Sequence, residues 1–236
     1  MMKYCLITGA SGGIGSAISH ALSKEGYTLI LQGRNEEKLL NLKNTLSTDS
    51  FVLLGDLTNG EDRNKILMSA FNIGHIDLLV NCAGTSCFSP LDAMENNAVE
   101  QLINLNLTAQ ILFTQRFISE LTHRQSHSNN AIDNKTTPLG QSTIINVGSA
   151  LGFIGHPGYS IYCASKFGFR GFTESLAREL SDSNIRVAFF APRATETSFN
   201  SDEVNALNNA LGNNIDPPAY VAKEFMSLLS SKRKQK

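Results

Sequence analysis

A chain of 236 residues, 42% of them apolar, is long enough to bury one substantial α/β core. Its 20 lysines and arginines against 21 aspartates and glutamates leave a formal charge of −1, so no broad basic field advertises a nucleic-acid partner. No apolar run approaches the roughly 18 residues of a membrane span, and Met1-Met2-Lys3-Tyr4 leaves no room for a signal peptide before the first strand. Cys5, Cys82, Cys87 and Cys163 show no C-x-x-C spacing, which reads as reduced thiols in a cytoplasmic protein without a membrane partner.

Lys3–Thr8 reads as the first strand, and Thr8-Gly9-Ala10-Ser11-Gly12-Gly13-Ile14-Gly15 follows at once. A helix to about Gly26 comes next, with Ile14, Ile18, Ala21 and Leu22 on one face. Strand, glycine-rich turn and helix are the context of a dinucleotide fingerprint, in which free N–H groups at the helix start favour a pyrophosphate. Tyr27–Gln32 is the second strand, and Gly33-Arg34-Asn35 the turn after it. An NAD-selective site places an acid here to bind the ribose 2′-hydroxyl. This chain has Arg34, whose guanidinium can bind a 2′-phosphate, so NADP(H) is preferred over NAD(H). Phe51–Gly55 is the third strand and closes on Asp56-Leu57, Asp56 being also a candidate N-cap for the following helix. Asp77–Val80 is the fourth and delivers Asn81-Cys82-Ala83-Gly84. Ala93 to Thr122 reads as one helix, with Leu102, Leu105, Ala109, Leu112, Phe113 and Phe117 on its apolar face. His123 to Gln141 is polar and aperiodic, the pattern of a long loop. His123 and His127 lie four apart, but no further ligand follows at metal spacing, so a solvated loop and no metal is the reading.

Thr143–Gly148 reads as a buried fifth strand ending at Ser149. Tyr162 and Lys166 stand four residues apart at the head of a helix that runs to about Ser181, so both side chains leave one face. A tyrosine exchanges protons poorly at neutral pH, because its ordinary pKa is about 10. An ammonium roughly 4 Å away at an effective dielectric near 20 is worth about 4 kcal/mol, or about three pH units. With a Ser149 hydroxyl to hydrogen-bond a carbonyl oxygen, these groups suit carbonyl/alcohol interconversion. Ile185–Phe190 is the sixth strand, Ala191–Thr197 the stretch beyond it, and Pro217–Ser230 the last helix, before a basic tail, 231–236, that reads as a solvated end.

Taken together, Thr8–Gly15, Asn81-Cys82-Ala83-Gly84, Ser149 and Tyr162/Lys166 resemble the motifs of the short-chain dehydrogenase/reductase family in its compact form. The resemblance implies a single Rossmann-like domain over 1–236. Gly9, Ser11, Gly13, Ile14 and Gly15 would then cradle the pyrophosphate, Asp56 and Leu57 meet the adenine, and the backbone at Asn81, Ala83 and Gly84 pass the ribose. It places Asn106 in a proton relay, holding a water against Lys166, and has Lys166 bind the ribose hydroxyls. Pro192, Thr195 and Thr197 would hold the nicotinamide. Three features depart from the pattern: Cys82 replaces an Asn, Arg193 replaces a Gly and is open to an anionic substrate, the cofactor pyrophosphate or, as favoured, solvent, and no seventh strand follows the last helix. The implied sheet is therefore six-stranded, in order 3-2-1-4-5-6, with the usual tetramer doubtful and a homodimer through the two long helices plausible.

The function implied is an NADP(H)-dependent oxidoreductase acting on a small-molecule carbonyl or alcohol, with Tyr162 as acid/base. The alternative is a catalytically silent NADP(H)-binding sensor or scaffold. Ser86, Phe88, Leu151, Phe153, Tyr159 and the segment from Phe199 to Leu211 are expected to wall the substrate pocket, a largely apolar lining that selects no single carbonyl. A 3-oxoacyl-thioester reductase is the common role of look-alikes, which the missing strand argues against.

Overall fold

In the computed structural model, residues 2–130, 141–197 and 215–231 are described, with side chains to Arg124 in the first stretch and no account of the remainder. Six parallel strands, β1 (Lys3–Thr8), β2 (Tyr27–Gly33), β3 (Ser50–Leu54), β4 (Ile76–Asn81), β5 (Ser142–Val147) and β6 (Ile185–Phe190), form one sheet. Its order is β3-β2-β1-β4-β5-β6, as the sequence predicts. The helices are α1 (Gly13–Lys24), α2 (Glu36–Thr45), α3 (Gly60–Ile73), α4 (Asn96–Ile103), α5 (Ala109–Asn130), α6 (Ser160–Glu179) and α7 (Pro218–Ser230).

The strands are apolar on both faces because both faces are covered. Along β1, Cys5 and Ile7 join Ile18 and Leu22 of α1, Leu39 of α2 and Val221 and Phe225 of α7 in one core. Leu6 points the other way, into a second core with Ile66, Leu67 and Phe71 of α3 and Phe113, Phe117 and Leu121 of α5. Strand order reverses between β1 and β4, which opens a crevice at the carboxyl ends of the strands.

That edge is tied together by buried polar side chains. Thr8 Oγ1 accepts from Cys82 N at 3.0 Å and Ala83 N at 3.2 Å, joining the exits of β1 and β4. Asn81 Nδ2 donates to Asn146 Oδ1 and to Thr114 Oγ1, each at 2.8 Å, and Asn146 Nδ2 donates to Thr173 Oγ1 at 2.8 Å. One row thus crosses β4, β5, α5 and α6.

Three expectations need correction. Asp56 does not cap α3; Asn59 does, its side chain accepting from Glu61 N and Asp62 N. The helix expected from Ala93 to Thr122 is two helices, α4 and α5, joined by a π turn over Asn104–Thr108. A π turn frees a carbonyl from the α ladder; here Gln110 Nε2 donates to Leu105 O at 3.1 Å and to Ala83 O at 3.0 Å. Helix α5 also runs on to Asn130, well into the expected loop, while residues 131–140 and the basic tail after Ser231 lie outside the described residues.

Replacing Asn146 by Ala removes one partner from the buried Asn81 amide, which keeps Thr114, and one from the Thr173 hydroxyl, which keeps Phe169 O. Urea denaturation should show a loss of about 1–3 kcal/mol; an unchanged midpoint would mean the row is dispensable.

Candidate functional site

At the carboxyl edge lies a cleft of about 760 Å³, lined from Gly9–Gly15 through Arg34, Asp56 and Ala83–Gly84 to Ser149, Tyr162, Lys166 and Pro192–Thr197. Such a volume suits a dinucleotide. The cleft begins at the N-terminus of α1, where Gly12 offers no side-chain cap and the first turn carries no acid. By contrast α2 and α3 are capped by Asn35 and Asn59 and carry Glu36, Glu37, Glu61 and Asp62 in their first turns. Free N–H groups facing a cleft, without a competing carboxylate, fit an anionic phosphate.

Two glycines are there of necessity. Gly9 has φ 63°, and a Cβ on it would meet the Ala83 backbone at 2.7 Å. A Cβ on Gly13 would collide with the Thr197 side chain. The fingerprint is thus pressed between the β4 exit and the wall after β6, forming a cradle that fits a pyrophosphate.

At the far end of the fingerprint turn, Gln32 is 2% exposed, accepts from Gly9 N at 3.4 Å and donates to Gly55 O at 2.8 Å. It fixes the gap between the β1, β2 and β3 exits. The sequence reading passed over it, although an amide ending an apolar strand is a signal. Arg34 Nη1 lies 3.5 Å from Asp56 Oδ2, with side-chain exposures of 71% and 37%. Burial pushes Asp56 up, but hydrogen bonds from Thr58 and the nearby Arg34 guanidinium outweigh it and hold the carboxyl below its usual range. Lys38, also passed over, lines the cleft beside Arg34 from the first turn of α2.

Ser149 follows β5, and Ala150 N donates to Pro192 O at 2.9 Å, so the β5 and β6 exits stay paired beyond the strands. Leu151 N donates to Ser149 Oγ at 3.1 Å, which fixes the hydroxyl oxygen at the cleft wall. A hydrogen bond joins Ser149 to Tyr162. Lys166 is 5% exposed; its Nζ donates to Val147 O at 3.3 Å and sits 5.7 Å from the Tyr162 ring centroid. The electrostatics differ from the expectation of a phenol brought down by its lysine. Burial pushes Tyr162 up to about 12 and pulls Lys166 down to about 8. For both groups the hydration lost on burial outweighs what their surroundings return.

Asn106, fully buried in the π turn, accepts from Thr85 N and donates to Thr85 O, each at 2.8 Å, and to Ser165 Oγ at 3.3 Å. A Cβ on Gly84 would lie 3.2 Å from Asn106 Oδ1 and 3.7 Å from Lys166 Nζ, so the π turn carries Asn106 up to the lysine's side of the cleft.

The structure brings Gly9, Ser11, Gly13, Ile14, Gly15, Arg34, Asp56, Leu57, Ala83, Gly84, Ser149, Tyr162, Lys166, Pro192, Thr195 and Thr197 to one cleft. Asn81 is not among the lining; its side chain is 1% exposed and spent inside the sheet. Arg193 does not point freely to solvent, for it forks onto Asp216 at 3.1 Å (Nε to Oδ2) and 2.9 Å (Nη2 to Oδ1). Of the expected substrate wall, Ser86, Phe88, Leu151 and Tyr159 line the cleft, joined by His156, which lies edge-on to Tyr159. Phe153 is instead 50% exposed, packed on Phe189 and under the Arg170 guanidinium at 4.0 Å. The segment 199–211 lies outside the described residues. Among the described residues no cluster of three potential metal ligands occurs, and no helix is long and apolar enough to cross a membrane.

The family model for short chain dehydrogenase matches residues 3–208. A 3-oxoacyl-(acyl-carrier-protein) reductase of Rickettsia typhi is 35% identical over 190 residues, covering 80% of this chain and 71% of that protein. Nodulation protein G of a Rhizobium species is 34% identical over 207 residues, covering 86% and 77%. Among solved structures, a dehydrogenase/reductase from Sinorhizobium meliloti superposes with a TM-score of 0.80 at 25% identity, over 96% of this chain and 87% of that one. A 3-oxoacyl-(acyl-carrier protein) reductase from Brucella melitensis, in complex with NAD, reaches a TM-score of 0.82 at 22% identity, over 97% and 90%, a likeness of fold. The chain belongs to the short-chain dehydrogenase family and is an oxidoreductase of that family.

A ¹³C titration of the lysine side chains in the cofactor-free protein should show one ammonium, absent in Lys166→Met, deprotonating near 8, below the ordinary 10.5. Below that pH Lys166 is charged and above it neutral. Uniform titration at the ordinary value would mean that water reaches the group.

Proposed function

We propose that the chain is an NADPH-dependent carbonyl reductase in which Ser149, Tyr162 and Lys166 carry the proton chemistry. The observation that carries this reading is their convergence on the cleft that the uncapped, acid-free start of α1 opens onto. When bound, NADPH supplies the hydride. Gly9, Ser11, Gly13, Ile14 and Gly15 would hold its pyrophosphate, and Arg34, aided by Lys38, its 2′-phosphate. Asp56 and Leu57 would meet the adenine, Ala83 and Gly84 the ribose, and Pro192, Thr195 and Thr197 the nicotinamide.

The Ser149 hydroxyl, its oxygen held by Leu151 N, donates to the substrate carbonyl oxygen. Tyr162 then gives that oxygen its proton. A phenol at about 12 stays protonated at every physiological pH, which is the form that reduction requires. Lys166, anchored on Val147 O, stabilises the negative charge left on Tyr162, and the proton path continues outward beside Asn106. Pairing with a second copy through α5 and α6, where Leu112 and Phe167 are exposed, belongs to the same reading.

For the substrate, the named relatives favour a 3-oxoacyl thioester, and the Phe88, Leu151 and Tyr159 wall is compatible with its acyl chain. Cytoplasmic residence fits that chemistry. The silent-sensor alternative has no observation in its favour, since all three proton-handling groups are present and convergent.

Oxidation of NADPH against a panel of ketones, quinones and a 3-oxoacyl thioester tests this directly. Turnover with at least one member is expected, and Tyr162→Phe should lower it by about 10²- to 10⁴-fold while leaving NADPH binding unchanged. A Phe variant as fast as wild type would remove Tyr162 from the chemistry. Separately, Arg34→Ala should weaken NADPH about ten- to hundredfold with little effect on NADH. Equal losses for both would place Arg34 away from the 2′-phosphate.

A further inference from the structure

We infer that Asp216 is a positioning residue for the cofactor, gripping Arg193 so that the Thr195–Thr197 wall is held at the nicotinamide end of the cleft. The inference rests on the dinucleotide reading above. Asp216 is joined to that wall twice. Through its backbone, its N donates to Ala194 O at 2.8 Å and its O accepts from Glu196 N at 3.0 Å, bracketing Thr195 in a parallel bridge. Through its side chain it takes the Arg193 fork on both oxygens, and Thr195 Oγ1 in turn donates to Arg193 O at 2.9 Å. Residues 193 to 196 are therefore closed into a small rigid unit by one aspartate.

The pair differs from an ordinary surface ion pair. The Asp216 side chain is only 12% exposed against 59% for Arg193, so removing the arginine strands a nearly buried carboxylate. The fork is two-pronged, which fixes orientation as well as distance. Lysine, a single point charge, would lose that geometry. With Nε and Nη2 both spent on Asp216, Arg193 is largely neutralised as a reader of substrate anions. Its use is internal.

What the unit holds matters to the cleft. Thr195 and Thr197 line it, and the Thr197 side chain packs so tightly on Gly13 that no Cβ fits between them. Two residues past Asp216, α7 begins, and its Val221 and Phe225 share a core with Ile18 and Leu22 of α1. The aspartate thus ties the nicotinamide wall to the helix whose N-terminus faces the pyrophosphate. A glycine at 193, as in the family pattern, could form no such tie.

The test compares NADPH with 2′-phospho-ADP-ribose, which lacks only the nicotinamide, by titration of wild type, Asp216→Asn, Arg193→Gln, Arg193→Lys and the Asn/Gln double variant. Each of Asp216→Asn and Arg193→Gln should weaken NADPH about tenfold and leave 2′-phospho-ADP-ribose unchanged. The double variant should lose no more than either single one, because the pair acts as a unit, and Lys should rescue only partly. Unchanged NADPH affinity in both single variants overturns the inference. So do equal losses for the two ligands, which would indicate general loosening. A wild-type chain that binds neither ligand overturns the cofactor reading itself, and the inference with it.

Discussion

Everything at the carboxyl edge depends on a short row of buried amides and hydroxyls. Asn81, Asn146 and Thr173 exchange hydrogen bonds across two strands and the helix that bears Tyr162 and Lys166, and Thr8 beside them takes the Cys82 and Ala83 N–H groups. Parallel strands need nothing polar to stay together in their middles, where apolar burial holds them at about 25 cal/mol per Å². At their ends the helices must be set in one direction and depth, and non-directional burial cannot do that. Hydrogen bonds in a dry environment can, because a half-satisfied row is costly. The positions of Tyr162 and Lys166 are thus fixed by residues that do not line the cleft.

The same dryness governs the chemistry. Lys166 and Tyr162 are each pushed toward neutrality by lost hydration, and in the free protein neither repairs the other. In the free protein burial thus keeps Tyr162 protonated and holds Lys166 near its titration point.

Much of this was legible in the chain itself. All six strands announce themselves as short apolar runs, and the fingerprint, Ser149 and the Tyr162/Lys166 pair stand at spacings that only their shared cleft explains. The π turn was hidden because Leu102, Leu105, Ala109, Phe113 and Phe117 keep a passable helical period straight across it. Gln110 and Thr114, polar residues on the buried side, were the available clue. Asp56 looked like a cap because acids often are; a better one, Asn59, stands three residues on. Asn81 sits in a motif otherwise devoted to the cleft, and pattern alone cannot say that its side chain turns inward. Arg193 looked solvent-bound because its partner lies 23 residues away in sequence.

The π turn has a further consequence. It contains one residue more than an α-helix would need to join α4 to α5, and each residue advances a helix by about 100°. Loss of any single residue between 104 and 108 would let the two helices fuse and would rotate one against the other by that angle. Either Phe113 and Phe117 would leave their core or Asn106 would swing away from Lys166. Along this stretch the chain is therefore constrained in its count of residues more tightly than in their kind: side chains can drift, but an insertion or deletion cannot be absorbed.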